Sequence, residues 1–222
     1  YQTVYAKTNG SVAAPTAGLH FTKAVLKTLK AKGIKLAETT LHVGAGTFKP
    51  VSKEDVREHD MHAEELHISV ELLDQIIAHE GPLLCVGTTS ARTLESVYWL
   101  GVKCMHESGN PFLKLNQWDA YDLPQDVPLK TALENLKNYI AQKKTKHFFT
   151  TTQLIITPGY TFRVIHGLFT NFHQPGSTLI LLVAAAVGQN WRMIYEEAMH
   201  NDYRFLSYGD SSLLFIEQYE PK

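Results

Sequence analysis

Two stretches of the chain repeat one order of elements: a helix, a short apolar strand and a glycine turn. The first comprises a helix over residues 22–32, a strand over 34–41 and a turn over 42–48. The second comprises a helix over 70–79, a strand over 82–86 and a turn over 87–90 that leads into a helix over 91–99. Buried parallel strands appear in a sequence as continuous apolar runs, and helices alternate with them. The repeated order therefore predicts an α/β domain with mainly parallel strands.

The remaining elements complete this domain, which we expect to cover residues 1–222. They are strands over 153–157 and 160–165 separated by Pro158-Gly159, helices over 177–188 and 191–200, and a strand over 211–217. Residues 101–149 break the alternation with a mixture of Asn, Pro, Asp and Lys around a predicted helix at 129–141. We interpret this segment as an insertion or a lid within the domain.

The composition is typical of a globular protein, since 44% of the 222 residues are hydrophobic and 19% are charged. The formal net charge is −1, so a nucleic acid would have to be bound by a local basic surface. The longest apolar stretch, 178–187, has about half of the ~20 residues that a membrane-spanning helix needs, which predicts a core helix. Two cysteines, Cys85 and Cys104, are too few for a disulfide framework and favour a reducing cytoplasm.

Four polar segments fall where the predicted strands end, and they are the candidates for a binding site. They are residues 18–21, 42–48, 87–92 and 170–173. Ligands of α/β sheets bind beyond the carboxyl ends of the strands, because the loops there converge on one crevice. We therefore expect these four segments to lie together.

Each of these features also has an interpretation that needs no ligand. The Gly44-Ala45-Gly46 turn could present N–H groups to an anion, or it could be a plain tight turn. The turn 87–90, with Arg92 one helical turn further, could hold a carboxylate or a phosphate, or could cap the next helix. Asp210 could form a turn or could face the crevice.

The histidines allow further alternatives. His59, His62 and Glu65 have the spacing of metal ligands on one helical face, although a polar helix start would look the same. His20 and His173 lie in apolar surroundings, where a single histidine commonly belongs to the core. Their position beside the candidate loops favours a functional role, and we expect no metal site.

Six long segments share their sequence and their order with one protein family. They are YQTVYAKTNGSVAAPTAGLHFT (1–22), TLHVGAGTFKPV (40–51), EHDMHAE (58–64), GTTSARTLES (87–96), TNFHQPGSTLILLVAAAVG (170–188) and YRFLSYGDSSLL (203–214). Together they resemble the S-adenosylmethionine:tRNA ribosyltransferase-isomerases of queuosine biosynthesis. Blocks of this length are far more specific than a single glycine motif.

The resemblance implies a fold and an activity. The fold would be a distorted barrel-like α/β domain with a small inserted β-barrel, which we expect upstream because the chain starts at Tyr1 without an initiator methionine. The activity would transfer the ribosyl moiety of S-adenosylmethionine to 7-aminomethyl-7-deazaguanine in tRNA, giving epoxyqueuosine. S-adenosylmethionine would be a substrate and no cofactor would be needed. We expect a monomeric cytoplasmic enzyme with tRNA as its partner.

The resemblance also implies roles for individual residues. The catalytic candidates are His20, His42, His173 and Asp210. Such groups suit the reaction, because a proton must be taken beside the sulfonium and adenine must be protonated as it leaves. The expected substrate-binding residues are Gly44, Gly46, Thr47, Phe48, Thr88, Thr89, Ser90, Arg92, Asn171 and Tyr208. Among them, Phe48 and Tyr208 offer aromatic faces to a sulfonium.

The chain departs from the family pattern in the long segment 101–149, which could be a lid or could reshape the tRNA surface, and at two further positions. Thr150-Thr151-Thr152-Gln153 stands where the family has Gly-Trp-Thr followed by an acidic residue, and Gly176 stands where it has a lysine. These changes remove an aromatic surface, a carboxylate and a positive charge that could bind phosphate. The alternative prediction is therefore a catalytically altered paralogue that binds S-adenosylmethionine or RNA.

Overall fold

The computed structural model describes residues 2–6, 14–42, 56–106 and 113–217, and it shows a mixed α/β domain. Its helices are α1 (Lys23–Ala31), α2 (Val70–Ile77), α3 (Thr88–His106), α4 (Asp119–Asp122), α5 (Leu129–Gln142), α6 (Thr178–Val187) and α7 (Asn190–His200). Its strands are β1 (Thr40–His42), β2 (Glu64–Ser69), β3 (Leu84–Val86), β4 (His147–Thr152), β5 (Gly167–Asn171) and β6 (Ser211–Phe215). A 3₁₀ helix, Thr16–His20, precedes α1, and another, Val56–Glu58, precedes β2.

The described strands form two three-stranded sheets. The first has the order β1-β2-β4 and is antiparallel. The second has the order β3-β5-β6, in which β3 and β5 are parallel and β5 and β6 are antiparallel. The prediction of mainly parallel strands is therefore wrong for the described strands, where one of four pairs is parallel. An apolar run indicates burial, but burial does not fix the direction of the neighbouring strand.

The long helix α3 joins the two sheets. It contacts β1 of the first sheet, β3 and β5 of the second, and α5. Gly101 in its middle lets α5 approach closely, since a Cβ atom there would lie 2.1 Å from the main-chain oxygen of Ala132. The core is therefore built around α3, and the ends of β3 and β5 are held against it.

The segment 101–149 contributes elements to this core. The helix α3 continues through Gly101 to His106, and α5 packs on it with Leu133, Leu136 and Ile140, each 0% exposed. This packing is that of core helices, whereas a lid would leave much of its surface in solvent. The interpretation of residues 101–149 as an insertion stays a prediction.

The two strands predicted over 153–157 and 160–165 are wrong, because neither segment forms a strand. Residues 154–157 are buried as a strand would be, but the main-chain hydrogen bonds of this segment go to Leu115 and Gln117, in the segment before α4. The N–H of Gln153 donates to the oxygen of Leu115 at 2.9 Å. The turn at Pro158-Gly159 is present, with Gly159 at φ +95°. The sequence correctly predicted that residues 154–157 are buried and that Pro158-Gly159 forms a turn. It did not predict the segment with which residues 153–157 form hydrogen bonds.

The helix predictions are confirmed for α1, α2, α5, α6 and α7. Three of these helices begin after a side-chain oxygen that accepts an N–H of the first turn, on Thr22, Ser69 and Ser177. The helix predicted over 91–99 begins earlier and ends later, as α3. The strand predicted over 34–41 is reduced to β1, which includes only its last two residues.

A buried carboxylate holds the main chain that leads into β5. Glu95 is 0% exposed, and its Oε1 accepts the N–H groups of Val164 at 2.9 Å and Ile165 at 3.1 Å. Its Oε2 accepts the hydroxyl of Tyr160 at 2.8 Å and the N–H of Arg163 at 2.9 Å. An irregular segment buried in this way needs such an acceptor, because it has no strand partner for these donors.

The remaining composition-based expectations concern the cysteines and the membrane. Cys85 and Cys104 are both buried and are not joined by a disulfide, as expected for a reduced protein. Burial raises the pKa of the Cys85 thiol, which makes this sulfur a poor nucleophile. Across the described ranges, every helix is too short or too polar to cross a membrane.

Candidate functional site

The parallel strands β3 and β5 set the position of the candidate site. Because they run in the same direction, Gly87 after β3 and Asn171 at the end of β5 lie at one edge of the sheet. Gly87 has φ +92°, and its N–H donates to the oxygen of Phe169 at 2.8 Å. The 3₁₀ helix Thr16–His20 packs against β5 at this edge. Three of the four predicted segments therefore meet.

The fourth segment is described only in part. His42 is the last residue of β1, which belongs to the first sheet and contacts α3. The predicted binding residues Gly44, Gly46, Thr47 and Phe48 lie outside the described residues. Their roles stay predictions.

His20 and Asp210 are brought together by Asn171. The Asn171 side chain is buried, and its Nδ2 lies 3.1 Å from His20 Nε2 and donates to the main-chain oxygen of Asp210 at 3.4 Å. A main-chain oxygen can only accept, so the amide presents its nitrogen on this side. With the amide assigned in this orientation, a neutral His20 ring accepts at Nε2 and carries its hydrogen on Nδ1. Asn171 thus sets the tautomer of His20.

Replacing Asn171 by aspartate is expected to move the ring hydrogen of His20 from Nδ1 to Nε2. A carboxylate can only accept, so the neutral ring must then donate from Nε2. Nitrogen-15 chemical shifts of the His20 ring distinguish the two tautomers. Asn201→Asp, at the exposed end of α7, should leave the His20 spectrum unchanged. A wild-type spectrum with the hydrogen on Nε2 would contradict the assignment without any variant.

His173 lies at the same edge, two residues after the end of β5. Its Nε2 lies 2.9 Å from Oγ1 of Thr170, and its main-chain N–H donates to the hydroxyl of Tyr195 at 3.0 Å. Burial lowers the pKa of His173 from 6.5 to about 4, because the charged ring would lose its hydration. His173 is therefore a neutral imidazole at physiological pH.

Asp210 forms an ion pair at the rim of the site. Its Oδ1 lies 3.1 Å from Nη2 of Arg204, and its Oδ2 accepts the main-chain N–H of Arg204 at 2.8 Å. These hydrogen bonds lower the pKa of Asp210, so the carboxylate is ionised at neutral pH. Tyr208, predicted to bind substrate, is 77% exposed on the neighbouring turn.

Arg92 is buried and its guanidinium is paired within the protein. Its Nη1 lies 3.0 Å from Oε2 of Glu64, and its Nε donates to the main-chain oxygen of Leu154 at 3.1 Å. Burial lowers the pKa of Arg92, while the Glu64 carboxylate favours its charged form. The predicted binding residues Thr88, Thr89 and Ser90 form the first turn of α3, so the turn expected over 87–90 is largely helical.

The two departures from the family pattern have local structural roles. Gln153 donates from Nε2 to the main-chain oxygen of Met61 at 2.8 Å, and Thr151 lies opposite Glu65 in the first sheet. Gly176 has φ +72° in the turn before α6. It borders an apolar hollow of about 470 Å³ that also has Pro175, Ile180, Trp191, Tyr195, Met199 and Phe205 in its wall. Since Tyr195 bonds to His173, the hollow adjoins the candidate site.

The alternative of a metal site formed by His59, His62 and Glu65 is wrong, because these residues do not lie on one face of a helix. Residues 59–63 are not helical, and Glu65 belongs to β2, where it is exposed while Glu64 is buried. Consecutive strand residues point to opposite faces, so the expected shared face does not form. In the part of the chain that the structure describes, no group of three His, Cys, Asp or Glu side chains could hold a metal ion.

Three residues of the site and its surroundings were not singled out from the sequence. They are Glu64, Tyr195 and Arg204. Two of them, Glu64 and Arg204, lie inside the segments that resemble the family, so those segments were a usable signal. Tyr195 had no such signal, because it sits in an ordinary amphipathic helix and reaches His173 only through the tertiary fold.

A mixed α/β domain with a cluster of histidine, amide and carboxylate groups beyond its parallel strands has the layout of an α/β enzyme. The family described as "Queuosine biosynthesis protein" matches residues 1–214. The chain therefore belongs to the queuosine biosynthesis protein family.

The similar proteins are all named for the same activity. S-adenosylmethionine:tRNA ribosyltransferase-isomerases from Caulobacter vibrioides and Herminiimonas arsenicoxydans are each 44% identical, over 98% and 96% of this chain and 50% and 52% of their own length. The crystal structure of S-adenosylmethionine tRNA ribosyltransferase from Thermotoga maritima is 29% identical, with a TM-score of 0.54 over 89% of this chain and 50% of that one. The chain thus spans about half the length of these relatives.

Proposed function

We propose that this chain is the α/β part of an S-adenosylmethionine:tRNA ribosyltransferase-isomerase. The reaction transfers the ribosyl moiety of S-adenosylmethionine to 7-aminomethyl-7-deazaguanine in tRNA, giving epoxyqueuosine and releasing adenine and methionine. The names of the relatives support this proposal. The proposal includes a monomeric cytoplasmic enzyme with tRNA and S-adenosylmethionine as substrates and with no cofactor.

The single observation that carries the proposal is the set of hydrogen bonds by which the Asn171 side chain joins His20 to the main chain of Asp210 beyond the parallel strands, with His173 held by the neighbouring Thr170. These residues come from three distant parts of the chain and each lies in a segment that resembles the family. A fold that needed only a stable core would not require two histidines, an amide and a carboxylate at one sheet edge. The concentration of polar groups supports a site for proton transfer.

The reaction makes separate demands that these groups can meet. A base must remove a proton beside the sulfonium, and the neutral ring of His173 has a lone pair available for this step. Adenine must be protonated as it leaves, and the Nδ1–H of His20 can donate a hydrogen bond that stabilises the departing nitrogen. The ionised Asp210 is held by Arg204, and this ion pair fixes the main chain that accepts from Asn171 beside the site.

The other predicted residues take binding roles in this proposal. The first turn of α3, with Thr88, Thr89 and Ser90, offers main-chain N–H groups to the methionine carboxylate. Arg92 orients this helix start through Glu64 instead of contacting the substrate directly. His42, Phe48 and Tyr208 remain candidates for contacts with the nucleoside.

The proposal is tested by incubating the intact protein with S-adenosylmethionine and a tRNA that carries 7-aminomethyl-7-deazaguanine. Mass spectrometry should detect free adenine and a tRNA whose mass has increased by the transferred ribosyl group. His20→Ala is expected to lower the rate roughly a hundredfold, while His200→Ala, exposed at the end of α7, should have no effect.

Two outcomes would overturn the proposal. Binding of S-adenosylmethionine or tRNA without adenine release would identify a catalytically altered paralogue. Full activity in the His20→Ala variant would remove the candidate site from the mechanism.

A further inference from the structure

The positive and negative charges of this chain are segregated along the sequence. The first 37 residues contain six lysines and no Arg, Asp or Glu, so they carry a formal charge of +6. The remaining 185 residues carry −7, which gives the net charge of −1. A neutral total thus hides a strongly basic segment, and such an asymmetry is a signature of binding to a polyanion.

The structure concentrates this charge on one helix. The helix α1 has no acidic residue, and none of its residues is buried. Lys23, Lys27 and Lys30 follow the spacing i, i+4, i+7, so they lie on one side, which we call the lysine face. All three are exposed, and none of them forms an ion pair within the described ranges. Their charge is therefore available to a partner.

The lysine face begins beside the candidate site. Lys23 follows His20 by three residues, which limits the distance between their Cα atoms to about 11 Å. His20 is fixed to the end of β5 by Asn171, and Thr22 caps α1 with Oγ1 3.2 Å from the N–H of Val25. Over its nine residues α1 extends roughly 13 Å from this point. A polymer whose reacting unit occupied the site could lie along the helix.

We propose that the lysine face of α1 binds the phosphate backbone of the tRNA substrate next to the modified nucleotide, an inference that rests on the proposed function. Ammonium groups on flexible stems bind phosphates as point charges and do not read sequence. They would position the RNA while the site residues act on the base. The absence of acidic residues from the first 37 positions removes repulsion along this surface.

An anionic membrane surface would attract the same lysines, but the apolar side of α1 is unsuited to it. This side is narrow: its larger side chains are Leu26 and Leu29, which are partly buried, and Val25, which is 40% exposed. Helices that lie in a membrane interface present a broad apolar face with large or aromatic side chains. The helix itself has no aromatic residue. The observations therefore favour RNA.

The test compares two triple variants of the intact protein. In one, Lys23, Lys27 and Lys30 are replaced by glutamine; in the control, the exposed lysines Lys130, Lys144 and Lys146 are replaced in the same way. Affinity for tRNA is measured by fluorescence anisotropy over a series of KCl concentrations. We expect the lysine-face variant to bind roughly tenfold or more weakly at low salt, with a log–log salt slope shallower by about two. The control should match the wild type.

The outcomes separate this inference from the proposed function. Wild-type protein that releases adenine from S-adenosylmethionine, together with a lysine-face variant that binds tRNA like the control, would overturn the inference alone. Wild-type protein that binds no tRNA would overturn both. Vesicles with phosphatidylserine give the last comparison: salt-sensitive binding lost only in the lysine-face variant, with unchanged tRNA binding, would assign the surface to a membrane.

Discussion

Replacing Glu95 by alanine is expected to lower the free energy of unfolding by about 4 kcal/mol or more. The side chain accepts four hydrogen bonds, three of them from the main-chain N–H groups of residues 163–165. Each buried donor left without a partner costs about 1–3 kcal/mol, and the cavity adds to the loss. Burial raises the pKa of Glu95, so its ionised form depends on these bonds.

Urea denaturation with the unfolding followed by circular dichroism measures this effect. Glu95→Gln keeps the shape of the side chain but turns one acceptor into a donor, so it should lie between the alanine variant and the wild type. Glu196→Ala, on the exposed side of α7, is the matched control and should change the stability by less than about 0.5 kcal/mol. A Glu95→Ala variant as stable as this control would show that the segment before β5 finds other partners.

Acidification is expected to destabilise the protein through His173, by up to about 3 kcal/mol between pH 6.5 and pH 4. Burial lowers the pKa of this ring to about 4, so over that interval the unfolded chain binds a proton that the folded protein does not. Stability therefore rises with pH across the interval and is constant above it with respect to this residue. Below about pH 4 both states bind the proton, and the stabilising contribution is absent.

The His173→Gln variant should lose most of this pH dependence. The free energy of unfolding is measured from urea curves at pH 4, 5, 6 and 7, and the slope against pH is compared with that of wild type. Some slope should remain, because burial also lowers the pKa of His166. His200→Gln, at an exposed position, should keep the wild-type slope. An unchanged slope in His173→Gln would mean that His173 is protonated in the folded protein.

Sequence reasoning located helices well because their signals are local. Thr22, Ser69 and Ser177 accept hydrogen bonds from N–H groups three residues later, so the cap and the helix it starts are adjacent in the chain. Apolar periodicity over ten residues then defines the face that packs.

Strands were located less well, because a strand exists only through its partner. Residues 153–157 have the apolar character of a strand, yet β4 lies just before them and pairs with β2, whose residues are 78 to 88 positions away in the chain. The metal hypothesis failed for the same reason. Whether Glu65 shares a face with His62 depends on secondary structure that pairing between β2 and β4 creates.

In the candidate site, too, the sequence indicated individual residues but not the contacts between them. His20, Asn171 and Asp210 could each be selected from segments that resemble the family, but their hydrogen bonds join residues 151 and 39 positions apart. Arg92 was selected with them as a ligand for anions. The structure instead pairs it with Glu64, because a buried guanidinium needs a carboxylate partner within the protein.

Local chain chemistry was therefore sufficient to define α1, α2, α5, α6 and α7, the buried segments, the reduced cysteines and the family to which the chain belongs. Three features depend on distant segments that pack together. They are the direction of the strands, the hydrogen bond between His20 and Asn171, and the ion pair between Arg92 and Glu64. The physical reason is the separation in sequence between the interacting groups. A helix cap or an apolar periodicity involves residues within a few positions of one another, whereas a strand ladder or a buried ion pair joins residues that are far apart in the chain.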